Sequence, residues 1–305
     1  MWWEHFGTGA SLRLLSISGA GFEGVAPLME RDGVVSFLGG TDLVDYHGFV
    51  TAGEPPAAFF DALMRHLDAS THVSRVDLLS IPDGSTALEA LPVAARALGW
   101  SARVEHEDVA PRLALPPSWD EYLAALSRKD RHELRRKLRR LERAGEVGSV
   151  ELADPADVAG AMDGFLALVR MSGPEKAAFL TAERERFFRA VAFALAGEGG
   201  ARLSFLELNG ARVAGSLSFI HGDERLLYNS GYDPDRGSLA VGLLAHAFDI
   251  RRSIEQGLRT YDLMRGGEAY KYHLGAQDRT IHRVLLERRP DGHPAPGREC
   301  SDSPS

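Results

Sequence analysis

Residues 202–264 carry the strongest structural signal in the chain, and they read RLSFLELNGARVAGSLSFIHGDERLLYNSGYDPDRGSLAVGLLAHAFDIRRSIEQGLRTYDLM. The dipeptide Asn209-Gly210 between two apolar runs predicts a hairpin, because both residues of such a turn need positive φ. A second turn at 221–223 extends the hairpin into a three-stranded antiparallel meander. A helix over 239–256 and a strand over 259–264 complete a right-handed β-α-β unit, so the meander's last strand should be parallel to the strand after the helix.

The residues before this stretch add a strand and two helices. An apolar run predicts a strand over 147–152, and Asp154 followed by Pro155 predicts a helix that runs to about Met171. Thr181 should cap a second helix, which ends at Gly197. The resulting order of strand, helix, helix, meander, helix and strand resembles that of the GNAT acyltransferase fold.

The region from residue 12 to 115 mixes short strands with two helices, predicted over 55–67 and 85–98. Gly39-Gly40 separates two apolar runs, 34–38 and 41–46, and predicts a hairpin there. Pro116-Pro117 then marks a boundary. We therefore expect an N-terminal domain over 1–116, a second domain over 117–288 and a disordered tail over 289–305.

A single strongly basic helix should begin the second domain. Ser118 and Glu121 form a capping box, leucines at helical spacing follow, and Gly145 is a plausible end. The segment 128–143 contains nine Arg or Lys and three acidic residues, so its net charge is +6, whereas the whole chain has a net charge of -8. The basic face of this helix either binds an acidic partner, such as coenzyme A phosphates, a nucleotide-linked sugar or tRNA, or is a solvated helix surface.

Composition excludes several other classes of protein. The 305 residues are 44% hydrophobic and 26% charged, as in a soluble globular protein, and no apolar run approaches the length of a membrane helix. The single cysteine, Cys300, permits neither an internal disulfide nor a cysteine zinc site. The histidines lack metal-site spacing, and the N-terminus lacks a secretory pattern. We expect a cytoplasmic protein without a metal and without membrane insertion.

Four segments together resemble a specific family, the two-domain acetyltransferase-like proteins found with polysaccharide-biosynthesis genes and related to the Fem-type aminoacyl transferases. The segments are Ser118–Leu123 with Arg131–Arg140; Gly210–Phe219; Tyr228–Pro234; and Tyr261–Lys271. The resemblance covers about residues 118–286. It implies an α/β (α+β) fold with two GNAT-like domains in tandem, the C-terminal one complete and the N-terminal one degenerate, joined by the basic helix.

The resemblance also implies acyl transfer from a thioester or ester donor to an amine or hydroxyl. Relatives bind the donor pyrophosphate where the crossover helix begins, since free N–H groups and the positive end of the helix dipole attract phosphate. Here the donor-binding residues would be Ser238, Leu239, Ala240, Val241, Gly242 and Tyr228. The glycine-rich phosphate loop of typical GNAT enzymes, with its Arg or Gln at the front, is not evident here, which counts against acetyl-CoA. The expected co-substrate is acetyl-CoA or another acyl-CoA.

The loop after the final strand of the β-α-β unit holds the candidate catalytic residues. Glu268, Tyr270 and Lys271 supply a base, an acid and a cation within four residues. In Fem-type relatives a Lys at the corresponding aromatic-Lys position touches the acyl donor. Asp262, on the strand itself, either orients the acceptor amine or pairs structurally with Arg265 or Arg259.

Tyr232, Asp233, Arg135 and Arg139 are the candidate acceptor-binding residues, although Asp233-Pro234 is also ordinary turn chemistry. The leading hypothesis is a GNAT-type N-acyltransferase that moves an acyl group from acyl-CoA to an amine of a small metabolite or cell-envelope sugar precursor. A Fem-type enzyme that uses aminoacyl-tRNA is one alternative; the absence of an RNA motif and of a long helical arm counts against it. A catalytically silent binding module of the same fold is the other.

Overall fold

The computed structural model describes residues 1–53 and 55–289. Its strands are β1 (Ser11–Gly19), β2 (Phe22–Arg31), β3 (Val34–Phe37), β4 (Val50–Thr51), β5 (Arg75–Pro82), β6 (Ser101–Val109), β7 (Arg112–Ala114), β8 (Val147–Leu152), β9 (Ala201–Leu208), β10 (Ala211–His221), β11 (Glu224–Tyr232), β12 (Thr260–Asp262) and β13 (Thr280–Glu287). Its helices are α1 (Trp2–Phe6), α2 (Ala57–Ala69), α3 (Ala87–Ala97), α4 (Trp119–Ala125), α5 (Arg128–Ala144), α6 (Pro155–Met171), α7 (Pro174–Phe179), α8 (Ala182–Gly197), α9 (Val241–Glu255) and α10 (Ala269–His273), with a 3-10 helix at Pro234–Leu239. The tail predicted to be disordered, with Cys300, lies outside the described residues except for Arg289.

The chain divides into two compact units whose limits do not follow chain order. Within the described residues, the central unit is Val109–Arg279, and the amino-terminal unit is the chain from Trp2 to Asp108 together with residues 280–289. Strand β13, near the end of the chain, lies between β5 and β6 in the sheet of the amino-terminal unit. The boundaries expected at 116 and 288 therefore differ from the compact units, because β13 forms its hydrogen bonds with strands that precede it by about 200 residues.

The central unit contains a sheet in the order β7-β12-β11-β10-β9-β8. Strands β9, β10 and β11 form the predicted antiparallel meander, and β11 is parallel to β12, as the β-α-β prediction required. Leu217 pairs with Asn229 and Ser218 with Leu227, so Tyr228 is an extra residue that bulges from β11. A bulge bends the strand that carries it, and β11 pairs with β12 only at its first three residues.

Helices α6 and α9 cover opposite faces of this sheet. A Cβ on Gly231 would lie 2.3 Å from the backbone nitrogen of Val169 in α6, so only glycine fits there. The next residue, Tyr232, contacts Gly242 at the start of α9. Because successive strand residues point to opposite faces, the two helices lie on different sides of β11.

The predicted basic helix is in fact two helices, α4 and α5, both within the central unit. Ser127 interrupts the pattern: its Oγ accepts the N–H of Asp130 at 3.1 Å and so caps α5. This second capping sequence begins a new helix where the leucine spacing alone predicts a continuous one. Short helix α7 was also missed.

The amino-terminal unit has a seven-stranded sheet in the order β1-β2-β3-β5-β13-β6, with β4 beside β2, among the residues the structure describes. Helices α2 and α3 contribute to the hydrophobic core of this unit, which includes Phe59 and Phe60 of α2 together with Trp100. The predicted strand at 41–46 is wrong. Those residues form turns, in which Leu43 and Val44 donate to the carbonyl of Gly40, so the segment closes on itself instead of pairing. Within the described ranges, no helix is both long and apolar enough to cross a membrane.

Candidate active site

A cleft opens in the central unit where β11 and β12 diverge. Strand β11 continues past the paired residues to Tyr232, while the chain after β12 turns away into the loop that leads to α10. The cleft has a volume of about 430 Å³. Its lining residues are Lys176, Gly215, Ser230, Gly231, Tyr232, Gly237, Ala240, Val241, Gly242, Leu243, His246, Glu268 and Tyr270.

One end of the cleft is the N-terminus of α9. Ala240, the residue before the helix, has a left-handed backbone (φ 57°) and no side-chain cap. The N–H groups of Val241, Gly242 and Leu243 therefore have no intrahelical acceptor, and all three residues line the cleft. Donors of this kind, at the positive end of a helix, fit phosphate oxygens. The residues present thus fit the pyrophosphate of a coenzyme A donor.

Helix α5 meets the same end of the cleft. The guanidinium of Arg140 donates to the carbonyl of Ser238, the residue two before Ala240. Leu239, also predicted to bind the donor, packs instead against the core of the central unit. This hydrogen bond therefore links α5 directly to the segment that precedes α9.

The floor of the cleft carries a stacked ring pair, His246 and Tyr270, with centroids 5.3 Å apart and planes 17° from parallel. Burial, with the charges of Lys176 and Lys271, lowers the pKa of His246 to about 3, so its imidazole is neutral at pH 7. Its Nδ1 is buried without a hydrogen-bond partner in the described residues. Burial and the neighbouring Glu268 charge raise the pKa of Tyr270 well above its ordinary value. Tyr270 therefore keeps its proton at neutral pH.

Two charged side chains face this floor. Lys176, at the start of α7, is half-buried and donates to the carbonyl of Ser230. Burial lowers its pKa, an effect that the charge of Glu268 partly opposes. Glu268 precedes α10, is 57% exposed and forms an ion pair with Lys271 at 3.0 Å. The cleft thus presents an ammonium and a carboxylate that do not pair with each other.

Lys271 does not line the cleft, contrary to the contact with the donor that the sequence predicted. Its side chain is 2% exposed, and Nζ donates to the carbonyls of Met264, Arg265 and Gly266 at 2.8, 2.8 and 2.9 Å. Because an ammonium has three N–H donors, these carbonyls satisfy all of them. Lys271 therefore fixes the loop at 264–266, which leads to Glu268 and to Tyr270 in α10, and it is a positioning residue.

Three other predicted residues serve structural purposes. Asp262 is buried and accepts the N–H of Met264 at 2.7 Å, which supports the positive φ of that residue. Asp233 caps the 3-10 helix by accepting the N–H of Asp235 at 3.0 Å. Tyr228, at the bulge, packs between the rings of Phe188 and Phe219, and it does not line the cleft. Tyr232, the remaining candidate on β11, lines the cleft.

The basic residues of α5 form a straight exposed stripe. Arg128, His132, Arg135, Arg139 and Arg143 recur every three or four residues and so share one helix face, about 22 Å long. Within the described residues none of these five forms an ion pair, whereas Arg136 on the flank pairs with Glu133 at 2.6 Å. The stripe, defined by those five residues, is a free cationic surface.

Sequence reasoning missed His246 and Lys176. His246 follows Gly242 by one helical turn, so it faces the cleft with the start of α9, and this spacing is a usable signal. No comparable sequence signal exists for Lys176, because it lies 54 residues before Ser230, the residue that it contacts. Among residues 1–53 and 55–289, no group of three or more His, Cys, Asp or Glu could hold a metal ion.

Comparison with known proteins agrees with this geometry. Residues 128–272 match the family model described as Acetyltransferase (GNAT) domain. FemX is similar in structure, with a TM-score of 0.62 at 14% identity over 93% of this chain and 90% of that one. The C-terminal domain (DUF2156) of a protein assigned as a lysylphosphatidylglycerol synthetase from Agrobacterium fabrum gives a TM-score of 0.61 at 12% identity, covering 90% and 83%.

A conserved protein of unknown function from Bacteroides thetaiotaomicron gives a TM-score of 0.57 at 12% identity over 87% of this chain and 86% of that one. No curated protein matches the chain. At these identities the solved structures establish the fold. The chain is therefore a two-domain α/β protein, its residues 128–272 match a GNAT acetyltransferase domain, and its fold is similar to that of FemX, which confirms the predicted fold class and the resemblance of this segment to GNAT domains.

Proposed function

We propose that the central unit is an N-acyltransferase that uses acyl-CoA and acts on the amine of a small metabolite or sugar precursor. One observation carries the proposal: a single cleft joins the uncapped start of α9 to Glu268, Tyr270 and His246. Phosphates of the donor would accept hydrogen bonds from the N–H groups of Val241 and Gly242. The thioester would then extend along β11 toward the ring pair.

The side chains at the floor of the cleft suit direct transfer. The acceptor ammonium first loses a proton to a base, for which the half-exposed Glu268 is placed. The amine nitrogen attacks the thioester carbonyl carbon, so a C–N bond forms and the C–S bond breaks. Tyr270, protonated at neutral pH, can give its proton to the departing sulfur and regain one from the amide-forming nitrogen. The products are an amide, a free thiol and one released proton.

His246 contributes without changing its charge. Because its imidazole stays neutral at pH 7, it adds no positive charge that would repel the acceptor ammonium. It also holds the Tyr270 ring by stacking.

A charge reversal at Gly237 tests the donor site. A Cβ at this residue would meet no atom within 4 Å, so a side chain fits without a clash. Gly237→Asp places a carboxylate beside the start of α9 and should weaken coenzyme A binding more than ~10-fold, equal to ~1.4 kcal/mol. Gly237→Asn, nearly the same shape without the charge, is the matched control. Calorimetric titration with coenzyme A and acetyl-CoA measures both, and equal affinities in the two variants would place the donor elsewhere.

The stripe on α5 favours a second candidate, a donor carried by RNA as in the Fem-type alternative. Four unpaired arginines, with His132 among them, extend over about 22 Å and exceed what the phosphates of one coenzyme A can contact. Under this candidate, replacing Arg135 and Arg139 by Gln should weaken binding of bulk tRNA and reduce its salt dependence by about two counterions. Arg136→Gln, which removes an already paired cation, is the control. No tRNA binding by the unaltered protein would leave the stripe as a solvated face.

A further inference from the structure

The charges inside the cleft select a class of acceptor. Among the described residues that line it, Lys176 is the only lysine or arginine and Glu268 the only carboxylate. They influence one another electrostatically but form no ion pair, since the ion-pair partner of Glu268 is Lys271. A cation and an anion that line one cleft without pairing with each other are complementary to a molecule that carries both charges.

Lys176 is short of partners. Its ammonium has three donors, and the carbonyl of Ser230 accepts one of them. A half-buried ammonium whose remaining donors lack an anionic acceptor is unfavourable, and an anionic ligand group relieves that cost. The position is rigid, because α7 begins at Pro174 and the N–H of Leu180 closes its last turn on the carbonyl of Lys176.

Glu268 provides the complementary end. Its Oε2 contacts Lys271, and its half-exposed side chain lines the cleft at the start of α10. A carboxylate in this position accepts hydrogen bonds from a ligand ammonium. His246 and Tyr270 on the floor of the cleft are both neutral at pH 7, so these two rings add no charge of their own.

We propose that the acceptor is a zwitterion, an α-amino acid or a molecule ending in one, whose carboxylate binds Lys176 while its amine lies at Glu268. This inference rests on the proposed acyl transfer. The reaction is then N-acylation of the amino acid: the amine loses a proton to Glu268, a C–N bond replaces the C–S bond, and the thiol leaves with a proton. The pairing also orients the amine, because the carboxylate fixes the other end of the molecule.

The test compares acceptors that differ only in the carboxylate. Thiol release from acetyl-CoA is followed with the common L-amino acids and, as matched probes, their primary amides. We expect kcat/KM to be at least ~10-fold higher for the best acid than for its amide. Lys176→Met should abolish that preference by raising KM for the acid while leaving the coenzyme A Kd unchanged. Lys176→Arg, which keeps the charge, should retain part of it, and Lys129→Met, on the exposed face of α5, should behave like the unaltered protein.

The outcomes separate this inference from the proposed function. Turnover that is equal for acids and amides overturns the zwitterion and leaves acyl transfer standing. A Lys176→Met variant with weaker coenzyme A binding and an unchanged acid preference assigns Lys176 to the donor and also overturns the inference. If coenzyme A does not bind at all, the proposed function fails. Calorimetric titration of the same amino acids into the protein then decides the zwitterion site, because binding that depends on Lys176 supports it and absence of binding overturns it. Thermal melts of each variant establish folding.

Discussion

Replacing Lys271 by methionine should destabilise the central unit, although the long apolar side chain is kept. The Lys271 ammonium is 2% exposed and donates to three successive loop carbonyls, those of Met264, Arg265 and Gly266. Methionine fills most of the volume but cannot donate. The loop that positions Glu268 and Tyr270 therefore loses its internal support, and the three carbonyls lose a charged partner.

The expected cost follows from these contacts. A buried carbonyl left without a donor costs about 1–3 kcal/mol, and the Met264 carbonyl is the most buried of the three. The other two are part-buried and regain water when the loop relaxes, so each costs less. Removing a buried charge also recovers some desolvation energy. We expect a net loss of about 2–4 kcal/mol, equal to a fall in Tm of about 5–15 °C for a unit of this size.

Differential scanning calorimetry of the full chain measures this loss. Lys129→Met is the matched control, because Lys129 is exposed on α5 and forms no hydrogen bond or ion pair in the described residues. It should melt within about 1 °C of the unaltered protein. Lys271→Arg should recover little, since a planar guanidinium does not reproduce the three-carbonyl contact of a compact ammonium. A Lys271→Met protein that melts like the control would refute the reasoning, because its ammonium could then not be satisfying buried carbonyls.

Two further outcomes follow from the ring pair. His246 has a folded pKa of about 3 against about 6.5 unfolded, so between these values the unfolded state binds the extra proton and stability falls as pH falls. From pH 7 to pH 5 this should remove about 1–2 kcal/mol, and urea unfolding at both pH values should show that His246→Asn lacks this part of the loss. Tyr270→Phe removes only the proton donor to the leaving sulfur, so kcat should fall ~100-fold while Tm and the coenzyme A Kd stay unchanged. Retained turnover in steady-state assays would assign proton donation to another group.

Local patterns predicted much of the central unit, because each depends on residues close in sequence. The Asn209-Gly210 turn requires positive φ at both positions, and both residues have it, at 53° and 76°. Apolar periodicity likewise located α6, α8 and α9. The parallel pairing of β11 with β12 followed from the handedness of a single crossover helix. Such signals also placed Tyr270 and Glu268 in a loop at the end of a strand, and both line the cleft.

Other features arise from contacts between residues far apart in the chain, which leave no mark on the local sequence. The sequence shows a lysine at 271, but only the fold determines that its ammonium turns inward to three carbonyls and away from the cleft. Lys176 reaches the cleft because α7 lies beside Ser230, and β13 completes a sheet whose other strands precede it by more than 170 residues. Periodicity and capping act over one or two helical turns, so the sequence by itself determined the elements. Packing across the sheet decided which charges meet in the cleft.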